Sequence, residues 1–266
     1  MSAAVAAGAG LWSLLPDDDD SLARVRAAGV LRVGFAIEPP YALALPDGTI
    51  SGESPDVARA VARRIGVDTR WILTDFESLI DELEKGRFDL VAAGLFINAE
   101  RAQRVAFSRP TLRVRAGWLA RAGQAPDGLS YAGPPAGFGH RVAVLAGSVE
   151  QHALARSSWP PGAVMVVPDA ASGRTAVASG EVLALALSWP SVSRAAQSSG
   201  GRLVALPAQG GRVEQVALAV RRDDRRLLRA VDETLAGFIG SAEHLALLQR
   251  HGLGAQDLPE ARDGAH

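Results

Sequence analysis

The chain lacks cysteine, and only one of its 266 residues, Lys85, is a lysine. Without cysteine there can be no disulfide, thiolate metal site or catalytic thiol. The single lysine follows Glu84, so the sequence holds neither a phosphate-binding P-loop nor an S-x-x-K nucleophile. No apolar run reaches the roughly 18 residues of a transmembrane helix. Basic and acidic residues nearly balance, 28 against 29, which gives no electrostatic reason to expect nucleic acid.

Histidine is also sparse, and the five histidines lack the short spacing of metal ligands. The sequence contains no H-E-x-x-H helix, no G-x-S-x-G elbow and no G-x-G-x-x-G turn after a strand. Local motifs therefore give no support to hydrolase, kinase or metalloenzyme functions. We expect no catalytic residue, no metal ion and no cofactor.

Residues 1–21 are predicted to be an N-terminal tail or a truncated export signal. The apolar stretch from Ala3 to Leu15 is about as long as the core of a signal peptide, but the first basic residue is Arg24. The acidic run from Asp17 to Asp20 is typical of a solvated spacer. Both interpretations stay open.

From Leu31 onward, short apolar runs alternate with helical stretches, which is the pattern of an α/β fold. Ser54 is predicted to cap a helix that Pro55 opens. Because strands and helices alternate, we expect a parallel sheet with helices on its faces. In the first half we predict strands at 31–36, 70–73 and 88–93, and helices at 55–65, 77–85 and 99–104.

The pattern restarts after residues 122–139, which are dense in glycine and proline and are predicted to be an excursion between two lobes. A second α/β lobe follows. In the second half we predict strands at 141–145, 164–167, 182–187 and 213–220, and helices at 148–156, 170–179, 224–239 and 242–249.

Aromatic and acidic residues follow the first three predicted strands. Glu38 and Tyr41 flank two prolines after the first strand, Phe76 follows the second and Phe96 the third. Ligands of open parallel sheets bind outside the carboxyl ends of the strands, so these side chains are candidate ligand contacts. The alternative for each aromatic residue is a place in the core.

Arg101 is unusual because, with Asn98 as the cap, it falls in the first turn of a helix. The helix dipole disfavours a cation there and favours an anion. A ligand carboxylate at this helix start could bind free backbone N–H groups and the guanidinium together. The alternative is a salt bridge to a neighbouring acid such as Glu100.

The segment from Gly86 to Arg101, continuing to Val105-Ala106-Phe107-Ser108, resembles the signature of the family-3 extracellular solute-binding proteins, the receptors of ABC importers for polar amino acids. About twenty positions agree in order and spacing. The C-terminal stretch from Ala217 to Leu253 is similar to the closing strand and helix pair of the family.

The resemblance implies a periplasmic-binding-protein-like fold of type II, in which two α/β lobes joined by two crossover segments close on a ligand. It implies lobe 1 at 22–113 plus 209–260 and lobe 2 at 114–208. We expect a monomer outside the cytoplasm that binds a small zwitterion and ABC permease subunits, with no nucleic acid partner.

By this resemblance Arg101 binds the ligand carboxylate and Gly94 contributes its backbone beside it. Four positions depart from the amino-acid receptors: Asn98 replaces a common threonine, Arg109 replaces a common acid, and the other two lie in the predicted site. Phe96 stands where they usually carry a small hydroxyl residue, and Ser188 about where they carry the aspartate that pairs with an α-ammonium.

In lobe 2 the resemblance is weaker. It places Ser148 at the ligand. We expect Trp189, next to Ser188, to close over the ligand from the second lobe or else to lie in the core.

A site that lacks the ammonium partner but is lined by aromatic rings favours a cation with delocalised charge. This combination resembles the ectoine and hydroxyectoine receptors of the family: Glu38 pairs with the cation, Arg101 binds the carboxylate, and Tyr41, Phe76 and Phe96 enclose the ring.

Three alternatives stay open. The first is a polar amino-acid receptor of the same family. The second is a cyclohexadienyl dehydratase-like enzyme, in which Glu38 would be the general acid. The third is a sensory module that has no permease partner.

Overall fold

The computed structural model describes residues 19–125, 127–210 and 212–260. Most of the predicted N-terminal tail, residues 1–18, lies outside the described residues. None of the helices that these residues form has the length and apolar character needed to cross a membrane.

Helices and strands alternate along the chain, as the sequence pattern predicts. The first half forms α1 (Ser21–Ala28), β1 (Val30–Phe35), β2 (Leu43–Ala44), β3 (Ile50–Ser51), α2 (Glu53–Ile65), β4 (Asp68–Leu73), α3 (Leu79–Glu84), β5 (Leu90–Val91), α4 (Ala99–Ala102) and β6 (Val105–Arg121). The second half forms β7 (Val142–Leu145), α5 (Val149–Ala155), β8 (Val164–Val167), α6 (Ala170–Ser179), β9 (Ala184–Ser188), α7 (Trp189–Gln197), β10 (Leu203–Pro207), β11 (Val213–Arg221), α8 (Arg225–Phe238) and α9 (Ala242–Arg250).

A continuous sheet joins both halves in the order β4-β1-β5-β11-β6-β9-β7-β8, and β10 pairs with β6. Strand β1 is parallel to β4 and β5, and β7 is parallel to β8 and β9. We call the part built on β4, β1 and β5 lobe 1, and the part built on β9, β7 and β8 lobe 2. The predicted α/β class, its parallel strands and its two-lobed form are confirmed.

The long strand β6 runs from one lobe into the other. Its first part pairs antiparallel with β11, up to Arg115, and from Ala116 onward it pairs with β9. The predicted excursion at 122–139 is therefore wrong, because β6 makes the crossing and this loop connects β6 to β7 within lobe 2. The position where lobe 2 was predicted to begin, residue 114, lies inside β6.

Lobe 2 buries both faces of its central strands. Every residue of β7 and β9 is buried, as expected for parallel strands covered on both faces. In lobe 2, Leu145 and Leu185 pack in one apolar cluster while Val144 and Ala186 pack in another. The carboxyl ends of these strands face the corresponding ends in lobe 1, so loops from both lobes meet there.

Helix α2 begins two residues earlier than predicted, at Glu53 with Gly52 as the cap. The Ser54 hydroxyl does not cap it, because it donates to Glu53 Oε2 at 2.7 Å and accepts from the Gly94 N–H at 3.1 Å. The predicted cap at Asn98 is confirmed, since its side chain accepts from the Arg101 N–H at 2.8 Å.

Asp89, which directly precedes β5, forms hydrogen bonds that connect β5 to β1 and β11. Its carboxylate accepts from Arg32 of β1, from Nε at 3.0 Å and from Nη2 at 2.6 Å, and from Arg221 Nη2 at the end of β11 at 3.2 Å. Burial alone would raise the pKa of Asp89, but the hydrogen bonds and charge of Arg32 hold it below its usual value.

We predict that Asp89→Asn lowers the free energy of unfolding by about 2 kcal/mol at neutral pH, because the amide cannot accept the paired N–H groups of Arg32. A carboxyl with a depressed folded-state pKa stabilises above its ordinary pKa and loses that effect as pH falls, so the difference should shrink in acid. Urea denaturation against the exposed control Asp68→Asn measures it. Equal stabilities at neutral pH would contradict the prediction.

Candidate ligand-binding site between the lobes

A tight turn after β1 places Glu38 and Tyr41 side by side. The Tyr41 N–H donates to the Glu38 carbonyl at 2.9 Å, and the Glu38 N–H donates to the Ala42 carbonyl at 2.9 Å. The Pro39–Pro40 peptide between them is cis. Both side chains are buried, with 7% of Glu38 and none of Tyr41 exposed. The acid and the aromatic ring thus keep the fixed relation that the two prolines suggest.

Tyr41 packs against both Phe96 and Gly94. The rings of Tyr41 and Phe96 meet edge to face, with centroids 6.3 Å apart. A Cβ at Gly94 would lie 2.5 Å from the Tyr41 ring, and its φ is +68°. Only glycine fits there, because any side chain would displace the ring. Tyr41 therefore contacts both of the other predicted residues, Gly94 and Phe96.

A chain of hydroxyl groups connects this corner of lobe 1 to lobe 2. Tyr41 Oη donates to Ser188 Oγ at 2.8 Å, Ser188 Oγ to Ser191 Oγ at 3.2 Å, and Ser191 Oγ to Glu38 Oε1 at 2.7 Å. Burial raises the pKa of Tyr41 well above its usual value, so its hydroxyl stays protonated and donates. Two serines of lobe 2 therefore hold Tyr41 and Glu38 of lobe 1.

Ser191 was missed by sequence reasoning. It lies three residues after Ser188 in the first turn of α7, and the Ser188 side chain caps that helix. A pair of serines at this spacing is common at helix starts and carries no specific signal. Only the packing of the two lobes brings Ser191 to Glu38.

Arg101 is a buried cation that spans the cleft. Its Nη1 donates to the Phe96 carbonyl at 2.9 Å, and its Nη2 donates to the Gly147 carbonyl of lobe 2 at 2.9 Å. The guanidinium carbon lies 5.6 Å from the centroid of the Phe76 ring. Burial lowers the pKa of Arg101 to about 10, so the group is charged at neutral pH.

Arg101 has no salt bridge with a carboxylate anywhere in the described ranges. The alternative partner Glu100 instead approaches Arg156, at 3.8 Å. A buried guanidinium that is hydrogen-bonded only to carbonyl oxygens keeps its charge unneutralised, which suits it to an anionic group from outside the chain.

Glu150 is a second buried acid of the cleft, and sequence reasoning missed it. It belongs to α5 of lobe 2 and is 4% exposed. Burial raises its pKa to about 8, and the charge of Glu38 adds to the rise. Burial likewise raises the pKa of Glu38 to about 7, against the lowering effects of Ser191 and Arg101. In the sequence, an acid in the first turn of a helix is ordinary, so nothing distinguished Glu150.

Residues of this cluster line two cavities. One, of about 890 Å³, is lined by Phe96 and Glu150 together with Tyr131 of lobe 2. The other, of about 580 Å³, is lined by Glu38 and Phe76. Both contain residues of the two lobes, so their shape depends on how the lobes meet.

The remaining two predicted residues lie at different depths. Ser148 is buried and caps α5, accepting from the Gln151 N–H at 3.1 Å. Trp189 is 39% exposed and lines a separate cavity with Pro40 and Arg194. Ligand contact by either residue stays a prediction.

Comparison with known proteins agrees with this two-lobed architecture. The chain belongs to the bacterial extracellular solute-binding proteins, family 3, whose family model matches residues 31–254. This match confirms the family resemblance read from the sequence, and the family implies a small ligand and ABC permease subunits as partners.

Three similar proteins differ in ligand. The probable amino-acid ABC transporter periplasmic-binding protein y4tE of Sinorhizobium fredii is 28% identical over 250 residues, 91% of this chain and 81% of that protein. The crystal structure of EhuB in complex with hydroxyectoine superposes with a TM-score of 0.82 and 30% identity, over 90% of this chain and 94% of that one. The L-arginine-binding protein of Pseudomonas aeruginosa is 27% identical over 148 residues, 55% of each chain.

Enzymes also occur among the partial matches. A cyclohexadienyl dehydratase of Pseudomonas aeruginosa is 30% identical over 100 residues, 37% of each chain. The matches to y4tE and EhuB, which each span about nine tenths of this chain, are with binding proteins.

The close approach of the two lobes at Gly147 gives a prediction about the opening of the cleft. A Cβ at Gly147, whose φ is +71°, would lie 2.8 Å from the Glu77 Cα of lobe 1. We therefore expect Gly147→Ala to keep the lobes apart. The matched control is Gly123→Ala, which has a φ of +72° and no atom within 4 Å of the added Cβ. Small-angle scattering should give a larger radius of gyration for Gly147→Ala alone, with similar melting temperatures. Equal radii would contradict the prediction.

The buried acids give a second prediction. Because the pKa of Glu38 is about 7 and that of Glu150 about 8 in this arrangement, both above their usual value, each binds its proton more tightly here than in water. Protonation thus favours closure, and a rise of pH through about 7 to 8 should open the ligand-free cleft. Since the chain has no cysteine, a dye pair on Arg64→Cys and Glu181→Cys can report the distance between the lobes by energy transfer.

Transfer should fall between about pH 6 and pH 9 in the wild type and change little in a double variant with Glu38→Gln and Glu150→Gln. A wild type whose transfer does not change over this range would contradict the prediction.

Proposed function

We propose that this protein is the receptor of an ABC importer and captures a small zwitterionic compatible solute, ectoine or hydroxyectoine. The observation that carries the proposal is the placement of opposite charges around aromatic rings in one cleft. Glu38 supplies the negative charge and Arg101 the positive charge. The rings of Tyr41, Phe76 and Phe96 lie beside them.

The chemistry of a cyclic amidine carboxylate suits these groups. Its carboxylate would pair with Arg101, a charge-assisted hydrogen bond worth about 1.5 to 3 kcal/mol. Its delocalised cation would pair with Glu38 and lie against the rings, each cation–π contact adding about 0.5 to 2 kcal/mol. The likeness to EhuB, whose crystal structure contains hydroxyectoine, supports the same ligand class.

A polar amino acid is the second candidate, and Glu150 favours it. Amino-acid receptors of the family carry an acid for the α-ammonium where this chain has Ser188. Because Glu150 adds a buried carboxylate from lobe 2, it could take that cation instead. The similarity to amino-acid-binding relatives supports this alternative.

The cleft contacts also bear on how the receptor would act. Tyr41 and Arg101 of lobe 1 bond to Ser188 and Gly147 of lobe 2, so a ligand between the lobes would be enclosed on closure. We propose that a monomer outside the cytoplasm presents this closed form to the permease. A sensory role would use the same closure without a permease.

We predict that wild-type protein binds ectoine or hydroxyectoine with micromolar or tighter affinity in titration calorimetry, in a panel with glycine betaine, proline, arginine and glutamine. Binding of a plain amino acid in place of the ectoines would favour the second candidate. Turnover of a cyclohexadienyl carboxylate such as prephenate or arogenate would instead establish a dehydratase.

We further predict that Arg101→Ala abolishes binding, because the ligand carboxylate loses its partner, and that Phe96→Ala weakens it by about tenfold or more. The controls are Arg104→Ala, which removes a surface arginine near the same helix, and Phe138→Ala, which removes a ring from the outer part of lobe 2. Normal binding by Arg101→Ala would refute the assignment of this pocket.

A further inference from the structure

A further cavity, of about 610 Å³, is lined by helices α6 and α7 of lobe 2 and contains none of the predicted ligand contacts. We call it the arginine cavity, because its charged lining consists of Arg121, Arg174, Arg194 and Arg202. No aspartate or glutamate is among the described residues that line it. Basic and acidic residues nearly balance in the whole chain, 28 against 29, so this concentration of one charge is local.

Two of the arginines reach the cavity from facing sides of α6 and α7. In α6, Ala171, Arg174 and Ala178 line it at intervals of three and four residues, so they lie on one face of the helix. Arg194 of α7 lines it together with Ser198, four residues further on. The small alanine side chains leave space between the two guanidinium groups.

The other two arginines lie side by side where β6 ends and β10 begins. The Ala122 N–H donates to the Arg202 carbonyl at 2.9 Å, which joins the two chain segments. Arg202 Nε donates to the Ser199 carbonyl at 3.0 Å, just past the end of α7. The Arg121 guanidinium lies beside Gly180 at the end of α6, where it occupies the space of an added Cβ. Both side chains are thus held at the cavity by the ends of its two helices.

The four guanidinium groups keep their charge without a partner acid. No carboxylate in 19–125, 127–210 or 212–260 forms a salt bridge with any of them, whereas Arg104 and Arg221 are each paired with two acids. Like charges around one cavity repel each other. An anion among them would replace repulsion with attraction, and the planar guanidinium fork fits the oxygens of a carboxylate or a phosphate.

The size and the walls of the cavity favour a small molecule. Small-molecule sites have volumes of about 300 to 1,000 Å³, a range that includes this cavity. Its lining also holds hydroxyl groups of Thr175 and Ser198, and Pro39 and Leu43 of lobe 1. Because four positive charges outnumber the single charge of a monocarboxylate, a ligand with several anionic groups suits the cavity best.

We propose that the arginine cavity is a second binding site, which takes a small anion with two or more carboxylate or phosphate groups. It is separate from the cleft, where Arg101 would bind one carboxylate of the transported ligand. The inference goes beyond the proposed function and does not depend on it.

The test is titration calorimetry at constant ionic strength with citrate, pyrophosphate and acetate as probes. The cavity variant combines Arg194→Gln with Arg202→Gln. Its control combines Arg70→Gln with Arg141→Gln, which removes the same charge from exposed positions outside the cavity. Arg101→Ala reports whether a probe anion binds in the cleft instead. Circular dichroism and melting temperature check that each variant folds.

We expect wild type to bind citrate, pyrophosphate or both at least about tenfold more tightly than acetate, because only these two probes engage several arginines. The cavity variant should weaken this binding by about tenfold or more, and the control pair and Arg101→Ala should each stay within about twofold of wild type. Binding of citrate alone would assign the site to polycarboxylates, and binding of pyrophosphate alone would assign it to phosphates.

A second measurement locates the anion in the unmodified protein. Phenylglyoxal labels accessible arginines, and mass spectrometry identifies the labelled positions. The bound probe should slow the labelling of Arg194 and Arg202 and leave that of Arg70 and Arg141 unchanged.

The proposal is refuted if neither multivalent anion binds more tightly than acetate, or if the cavity variant binds within about twofold of wild type. An equal loss in the control pair would show that net charge alone attracts the anion, and loss in Arg101→Ala alone would place the anion in the cleft. Either result would also overturn the proposal, and neither would bear on the binding of ectoine.

Discussion

The arrangement of the cleft depends on the burial of the Arg101 guanidinium between the two lobes. A buried cation must be hydrogen-bonded, and here the acceptors are the carbonyl of Phe96 in lobe 1 and that of Gly147 in lobe 2. Those bonds position the charge without neutralising it. The same contact brings Gly147 against Glu77, so the geometry of the cation and the closeness of the lobes are set together.

On the Glu38 side of the cleft, lobe 2 supplies hydroxyl groups and no charged partner. Where amino-acid receptors carry an aspartate, Ser188 accepts from Tyr41, and Ser191 donates to Glu38. Neutral donors hold the acid while leaving its charge available to a ligand. Lobe 2 thus contributes hydroxyls and the acid Glu150, whereas lobe 1 supplies Arg101 and the rings of Tyr41, Phe76 and Phe96.

Local signals predicted much of lobe 1 and of the site, because a strand end, a cap or a Pro-Pro turn fixes where a nearby side chain lies. Glu38 and Arg101 could be found in this way. The crossing strand β6 was missed, since its alternating arginines and Pro110 hide its apolar face. Ser191 and Glu150 could not be predicted, because their importance arises from contact between lobes that lie far apart in sequence.

The most direct test of this account is a crystal structure of the protein grown with ectoine. We expect the ligand between the lobes, with its carboxylate oxygens about 2.7 to 3.1 Å from the Arg101 guanidinium and its ring N–H groups directed at Glu38. A ligand bound outside the cleft, or one in the cleft with its carboxylate away from Arg101, would contradict it.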